Sequence, residues 1–154
     1  MTEQADKTLA MANVSSQQIS ELIQSAMRLR QRAYAPYSGK SVGAAVLTAN
    51  GRIYTGCNIE NAAHAPGLCA ERVALAGAVA AGERQFIAIA ICGGTAGKPA
   101  DADNLFYPCG MCRQMMAEFF AADTLVICAA DEQHYQLFTF AELLPYPYPP
   151  QRKG

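Results

Sequence analysis

The chain opens polar, and its first regular pattern begins near Ser15 and Ser16. From there apolar side chains recur at Ile19, Leu22, Ile23, Ala26, Met27, Leu29 and Ala33. This spacing predicts an amphipathic helix, with Ser15 or Ser16 as its N-cap. Pro36 and Gly39 in "APYSG" end it. Two strand-like runs, Val42–Leu47 and Arg52–Cys57, flank Asn50-Gly51 and predict a β-hairpin. The stretch Leu68–Ala81, "LCAERVALAGAVAA", is rich in Ala and Leu, has helix length and closes at Gly82. "QFIAIAICGG" has the length and flanking glycines of a buried strand. After the polar loop "TAGKPADADN", helical spacing returns in "PCGMCRQMMAEFFA". "TLVICAAD" predicts another buried strand, "YQLFTF" a short alternating one, and "FAELL" a last helical turn before "PYPYPPQRKG".

An antiparallel pair followed by strand–helix–strand units implies a mixed sheet covered by helices on both faces. The expected fold is therefore α/β, a three-layer α/β/α sandwich around five strands. Residues 1–15 read as a flexible leader, 16–150 as one domain and 151–154 as a tail. A length of 154 residues suits a single core that needs no disulfides to fold.

Composition narrows the partners. The chain is 51% hydrophobic and 16% charged, with a formal net charge of −1. So little charge points to a surface partly covered by other subunits, and the balance argues against nucleic acid, which needs a basic face. The first residues show no basic segment followed by an apolar one, so no secretory signal is expected. No apolar run approaches about 18 residues, so no membrane helix is expected either. A cytoplasmic, reducing location follows, and there the six cysteines point to metal binding or chemistry more than to disulfides.

Cys92 and Cys128 sit inside apolar strand runs and read as small buried hydrophobes, and Cys57, at a strand end, reads as structural. Cys69, Cys109 and Cys112 differ, because each stands near the start of a predicted helix, where unpaired N–H groups favour a thiolate. Three sulfurs would leave the fourth zinc position open for water, as catalytic sites do. Glu71, two positions after Cys69, can move protons there or merely complement the helix dipole. The order C-A-E at 69–71, then P-C-x-x-C at 108–112, is far more specific than either half, and matches the signature of zinc-dependent nucleobase deaminases.

On "AYAPYS" (33–38), "VGAAVL" (42–47), "GCNIENAA" (56–63), "CAERVAL" (69–75), "PCGMCRQ" (108–114) and "ELLP" (142–145), the chain resembles the small cytidine deaminases, which form homotetramers around three-cysteine zinc sites. The likeness spans about residues 20–146. It implies one Zn2+ per subunit on Cys69, Cys109 and Cys112, with Glu71 as the general acid/base. It also implies hydrolysis of cytidine or deoxycytidine to uridine or deoxyuridine plus ammonia, a salvage reaction. By the same likeness Arg72 offsets the charge of the thiolates, and the backbone of Ala70 and Cys109 helps to place the amine and ring. Asn58 and Glu60 hold the ribose 3′-hydroxyl, in a site shared between subunits. The Asn amide offers donor and acceptor and the carboxylate accepts, which suits a hydroxyl that does both.

Departures from the family bear on substrate. Lys40 stands where the family carries Phe, His64 replaces a Tyr, and the loop before P-C-G is longer. Tyr148, with Tyr146 as the alternative, matches the C-terminal aromatic that covers the site in the family. Phe106 and Tyr107 are placed either near the base or in the core. These changes predict a pocket widened or repolarised around C4, which tolerates N4-modified cytidines besides cytidine and deoxycytidine. Rival readings are a deaminase of a blasticidin-type antibiotic, and a non-catalytic zinc module with His64 or Cys57 as fourth ligand. A redox dithiol at Cys109/Cys112 lacks the surrounding βαβ pattern.

Overall fold

The computed structural model describes residues 13–148. Most of the expected leader and the whole expected tail lie outside the described residues. Val14 is buried, and Ser15 caps helix α1 (Ser16–Arg30) in a capping box with Gln18. The hairpin follows as β1 (Lys40–Thr48) and β2 (Ile53–Cys57), turning at Gly51, whose φ of 84° an L side chain rarely adopts. Helix α2 (Ala70–Ala80), β3 (Phe86–Thr95), α3 (Gly110–Met116), β4 (Leu125–Ala129), β5 (Tyr135–Thr139) and α4 (Phe140–Leu143) complete the chain.

The strands lie in the order β2-β1-β3-β4-β5. All pairs are antiparallel except β3 with β4, which the α3 crossover makes parallel. Alternation along the strands builds two cores. Ala45, Leu47, Ala88, Ala90 and Ile127 face α1 through Ile19, Leu22, Ile23 and Ala26. Ala44, Val46, Ile89, Ile91 and Val126 face Ala74, Leu75 and Ala78 of α2, Met116 of α3 and Phe140 of α4. This is the three-layer sandwich the hydrophobic pattern predicts.

One element is shorter than expected. The helical spacing after Pro108 runs to about residue 121, but α3 ends at Met116. Glu118 and Phe119 donate three residues back, to Met115 and Met116, instead of four. The tightened turn brings Phe119 and Phe120 both onto Phe86, at ring-centroid distances of 5.9 and 6.0 Å.

Candidate metal centre

Two helices on one face of the sheet begin at cysteines. Cys69 is the N-cap of α2 and Cys109 the N-cap of α3, both in extended backbone and neither making a side-chain cap hydrogen bond. Their sulfurs are thus free to turn towards each other, and Cys112, one turn into α3, joins them. The three Sγ atoms lie within 4.8 Å of one another, with 3.5 Å between Cys109 and Cys112. Sulfurs around a tetrahedral zinc, each at about 2.3 Å from the ion, stand about 3.8 Å apart. The spacing fits such an ion. Among the described residues no fourth His, Cys, Asp or Glu joins the cluster, so neither His64 nor Cys57 completes a closed structural site.

Electrostatics agree with a metal-binding donor set. Cys69 is held well below the ordinary thiol range, first by a hydrogen bond from Cys112 and then by Arg72. Cys112 is correspondingly pushed up, by Cys69 first and then by burial. Arg72 donates from Nη2 to the Gly67 carbonyl at 2.8 Å, while its Nε is buried with no hydrogen-bond partner. Burial works against the guanidinium charge, but Cys69 first, with Cys112 and Cys109, more than offsets it and raises the Arg72 pKa. An orphaned buried N–H beside a sulfur cluster is placed to donate to a thiolate.

Glu71, on the first turn of α2, is 4% exposed. Burial pushes its carboxyl pKa up, and the charge on Cys69 adds to the rise. Glu60 is the opposite case. It accepts from the backbone N–H of Tyr37 at 2.9 Å and of Ser38 at 3.2 Å, and from the Ser38 hydroxyl. Those bonds, Ser38's first, hold its carboxylate ionised below the usual range.

A cleft of about 520 Å3 opens onto Cys69 and Arg72 and is lined further by Tyr37, Asn58, Glu60 and His64. His64 has a φ of 59° and meets the Tyr37 ring edge-on at 6.0 Å. Asn58 uses its amide on the backbone of β1, accepting from Val42 N at 2.8 Å and donating to Lys40 O at 2.9 Å. Ala70 is fully buried at the start of α2.

The remaining sequence candidates sit elsewhere. Lys40 donates from Nζ to Thr95 Oγ1 at 3.1 Å and is absent from the cleft lining. Phe106 lies over Gly93 of β3, and the Tyr107 hydroxyl donates to Gln136 at 3.0 Å beside Phe138. Tyr148 keeps its backbone on Gln114 with its side chain exposed. No residue of the 96–107 loop lines the cleft. Sequence reasoning missed Ser38 as the residue that fixes Glu60. Its signal was present in "PYSG", a turn whose hydroxyl needs a local acceptor.

Residues 16–129 match the family model for the cytidine and deoxycytidylate deaminase zinc-binding region. The chain is similar to the cytidine deaminase of Halalkalibacterium halodurans, 44% identical over 124 residues, which cover 80% of this chain and 89% of that protein. The crystal structure of cytidine deaminase from Burkholderia pseudomallei superimposes with a TM-score of 0.72 at 40% identity, covering 83% of this chain and 97% of that one. Similarity to the blasticidin-S deaminase of Bacillus cereus is lower, 31% over 108 residues, or 70% of this chain and 76% of that protein.

Proposed function

The chain belongs to the cytidine and deoxycytidylate deaminase family, and on that premise we propose that it hydrolyses cytidine and 2′-deoxycytidine to the uridines and ammonia. The observation that carries the reading is the trio of sulfurs at two facing helix starts with buried Glu71 beside it. Cys69, Cys109 and Cys112 hold one Zn2+ per subunit in this reading, and Arg72 withdraws charge from the Cys69 sulfur. Bound zinc supplies a Lewis acid that activates water at neutral pH.

The chain's own residues do the rest. Glu71, with its pKa raised by burial, takes a proton from water and delivers it to N3 of the base, then takes the second proton from the new C4 hydroxyl and delivers it to the departing amine. Glu60, kept ionised by Ser38 and Tyr37, accepts from a sugar hydroxyl, and Asn58 supports it from just past β2, where its amide is fixed on the β1 backbone. Two carboxylates shifted in opposite directions serve two different roles. The backbone at Ala70 and Cys109 places the amine, and His64 and Tyr37 border the sugar side of the cleft.

A homotetramer with shared sites accords with the exposed Tyr34, Tyr37, Ile59 and Leu68 around the cleft. Tyr148 then acts in a neighbour's site. Among the described residues no helix is long and apolar enough to cross a membrane, and the proposed reaction belongs to cytoplasmic pyrimidine salvage. The loop and Lys40 stand away from the cleft lining, so nothing there favours N4-modified cytidines or an antibiotic over cytidine. Purified protein assayed on cytidine, deoxycytidine, cytosine, blasticidin S and N4-alkyl cytidines, with ammonia release and zinc content recorded, tests the reading. Zinc-loaded protein inactive on both nucleosides would reject it.

A further inference from the structure

The three sulfurs are unequally supported. Cys112 is buried and Cys69 half-buried, whereas Cys109 is exposed, at the end of the long 96–107 loop. Burial does not fix Cys109, so something else must. Arg113 reaches back one turn and donates from Nε to the Pro108 carbonyl at 2.8 Å, holding the peptide immediately before Cys109. The same guanidinium donates from Nη1 to the Leu143 carbonyl at 2.8 Å, at the end of α4. The next residue, Gln114, clasps the Tyr148 peptide from both sides: its Nε2 donates to the Tyr148 carbonyl, and its Oε1 accepts from the Tyr148 N–H at 3.4 Å. The C-terminal strap 143–148 is thereby fastened to the helix that carries two of the three cysteines, at two points on consecutive residues.

We propose that Arg113 is a positioning residue for Cys109, and that the strap, through Leu143 and Tyr148, is the brace that keeps Arg113 and α3 in place. The inference rests on the reading of the three cysteines as a metal centre. A planar guanidinium suits the task because it fills two acceptors in fixed directions, which a lysine ammonium on a flexible stem does not. Arg113→Lys therefore keeps the charge and removes the two-point bridge. Gln114→Ala releases the strap at an exposed position where folding is not at stake.

The test follows metal release from zinc-loaded protein to a chromogenic chelator, and the absorption of the cobalt-substituted protein, whose ligand-field bands report tetrahedral thiolate geometry. Loss of partners that orient metal ligands typically weakens a site about 10- to 100-fold. Arg113→Lys is expected to release zinc about tenfold faster and to shift the cobalt bands. Gln114→Ala is expected to release it about threefold faster, the loss of one modest hydrogen-bonded link. A wild-type release rate and cobalt spectrum in either variant would overturn the brace. Wild-type protein that takes up neither zinc nor cobalt would instead overturn the metal-centre reading, and the brace with it.

Discussion

Replacing Glu71 by Gln separates proton transfer from every other property of the site. The side chain is 4% exposed, so bulk water cannot stand in for its carboxylate. Glu60, the acid that lines the cleft, is tied to Ser38 and Tyr37 and held ionised, so it cannot substitute. General acid–base groups contribute about 10²- to 10⁴-fold. Because Glu71 serves several transfers in one turnover, the upper end is expected, a loss of about 10⁴ in kcat, or about 5.4 kcal/mol of barrier. Zinc content should stay at the wild-type level, since the sulfurs are untouched. The metal-free variant carries a second signature. A folded pKa raised above the unfolded one means that ionisation works against folding: the full contribution is present below the unfolded pKa, about 4.3, and is lost as pH rises through the folded value. Gln does not ionise, so the Tm advantage of the metal-free variant over metal-free wild type should widen from pH 5 upwards. Ammonia release, metal analysis and calorimetry across pH read all three. Zinc-loaded Glu71→Gln retaining more than a tenth of wild-type kcat would refute the assignment.

Ser38→Ala removes the hydroxyl that lowers the Glu60 pKa most, so that pKa should move back up. The sign is that of a depressed acid: KM for cytidine, followed between pH 4 and 8, should rise in the variant at a higher pH than in wild type as pH falls. Identical KM–pH curves would exclude the role given to Ser38. A Cβ at Gly43 would overlap the Ala26 carbonyl oxygen and stand 2.5 Å from Arg30 N, both backbone atoms of α1. Gly43→Ala should cost about 1–3 kcal/mol, lowering Tm by roughly 3–10 °C in a chain of this size; an unchanged Tm would show that α1 does not bear on β1 there. Chelation should destabilise the protein as well: with zinc at a thousandfold its Kd, binding contributes about 4.1 kcal/mol, and a scanning-calorimetry Tm unmoved by chelator would argue against a metal bound by the folded state.

Most of the fold was legible because its signals are local. The Asn50-Gly51 hairpin, the apolar β3 and β4 runs and the Ser15 cap each lie within a few residues of sequence. The end of α3 was not legible. Its periodicity continues past Met116, and only the tertiary demand that Phe119 and Phe120 both reach Phe86 tightens the turn. In the site, Cys69, Cys109, Cys112 and Glu71 were readable from their spacing at helix starts, and the structure brings them together. Lys40 and the long loop were readable as departures but not in their consequence. The Lys40 ammonium and Arg30 both fasten the loop's beginning, through Thr95 and Lys98, and Phe106 and Tyr107 fasten its end on Gly93 and Gln136. A pairwise tether of that kind leaves no pattern in one chain.

That tethering bears on how a loop of this length coexists with a fixed Cys109. A longer loop before a metal ligand should loosen the ligand, since added chain adds conformational freedom at its end. Here the freedom is confined to the middle of the loop. Its first residues are fixed by Arg30, whose guanidinium binds the Thr95 and Lys98 carbonyls at 2.8 and 2.9 Å, and Arg113 holds Pro108 at the far end. Between these clamps Asp101 closes a local turn with Asp103 and Asn104. The ligand that follows sees a short, fixed lead-in, whatever length is inserted upstream. Loop length and the position of Cys109 are thus uncoupled by two arginines, one on α1 and one on α3.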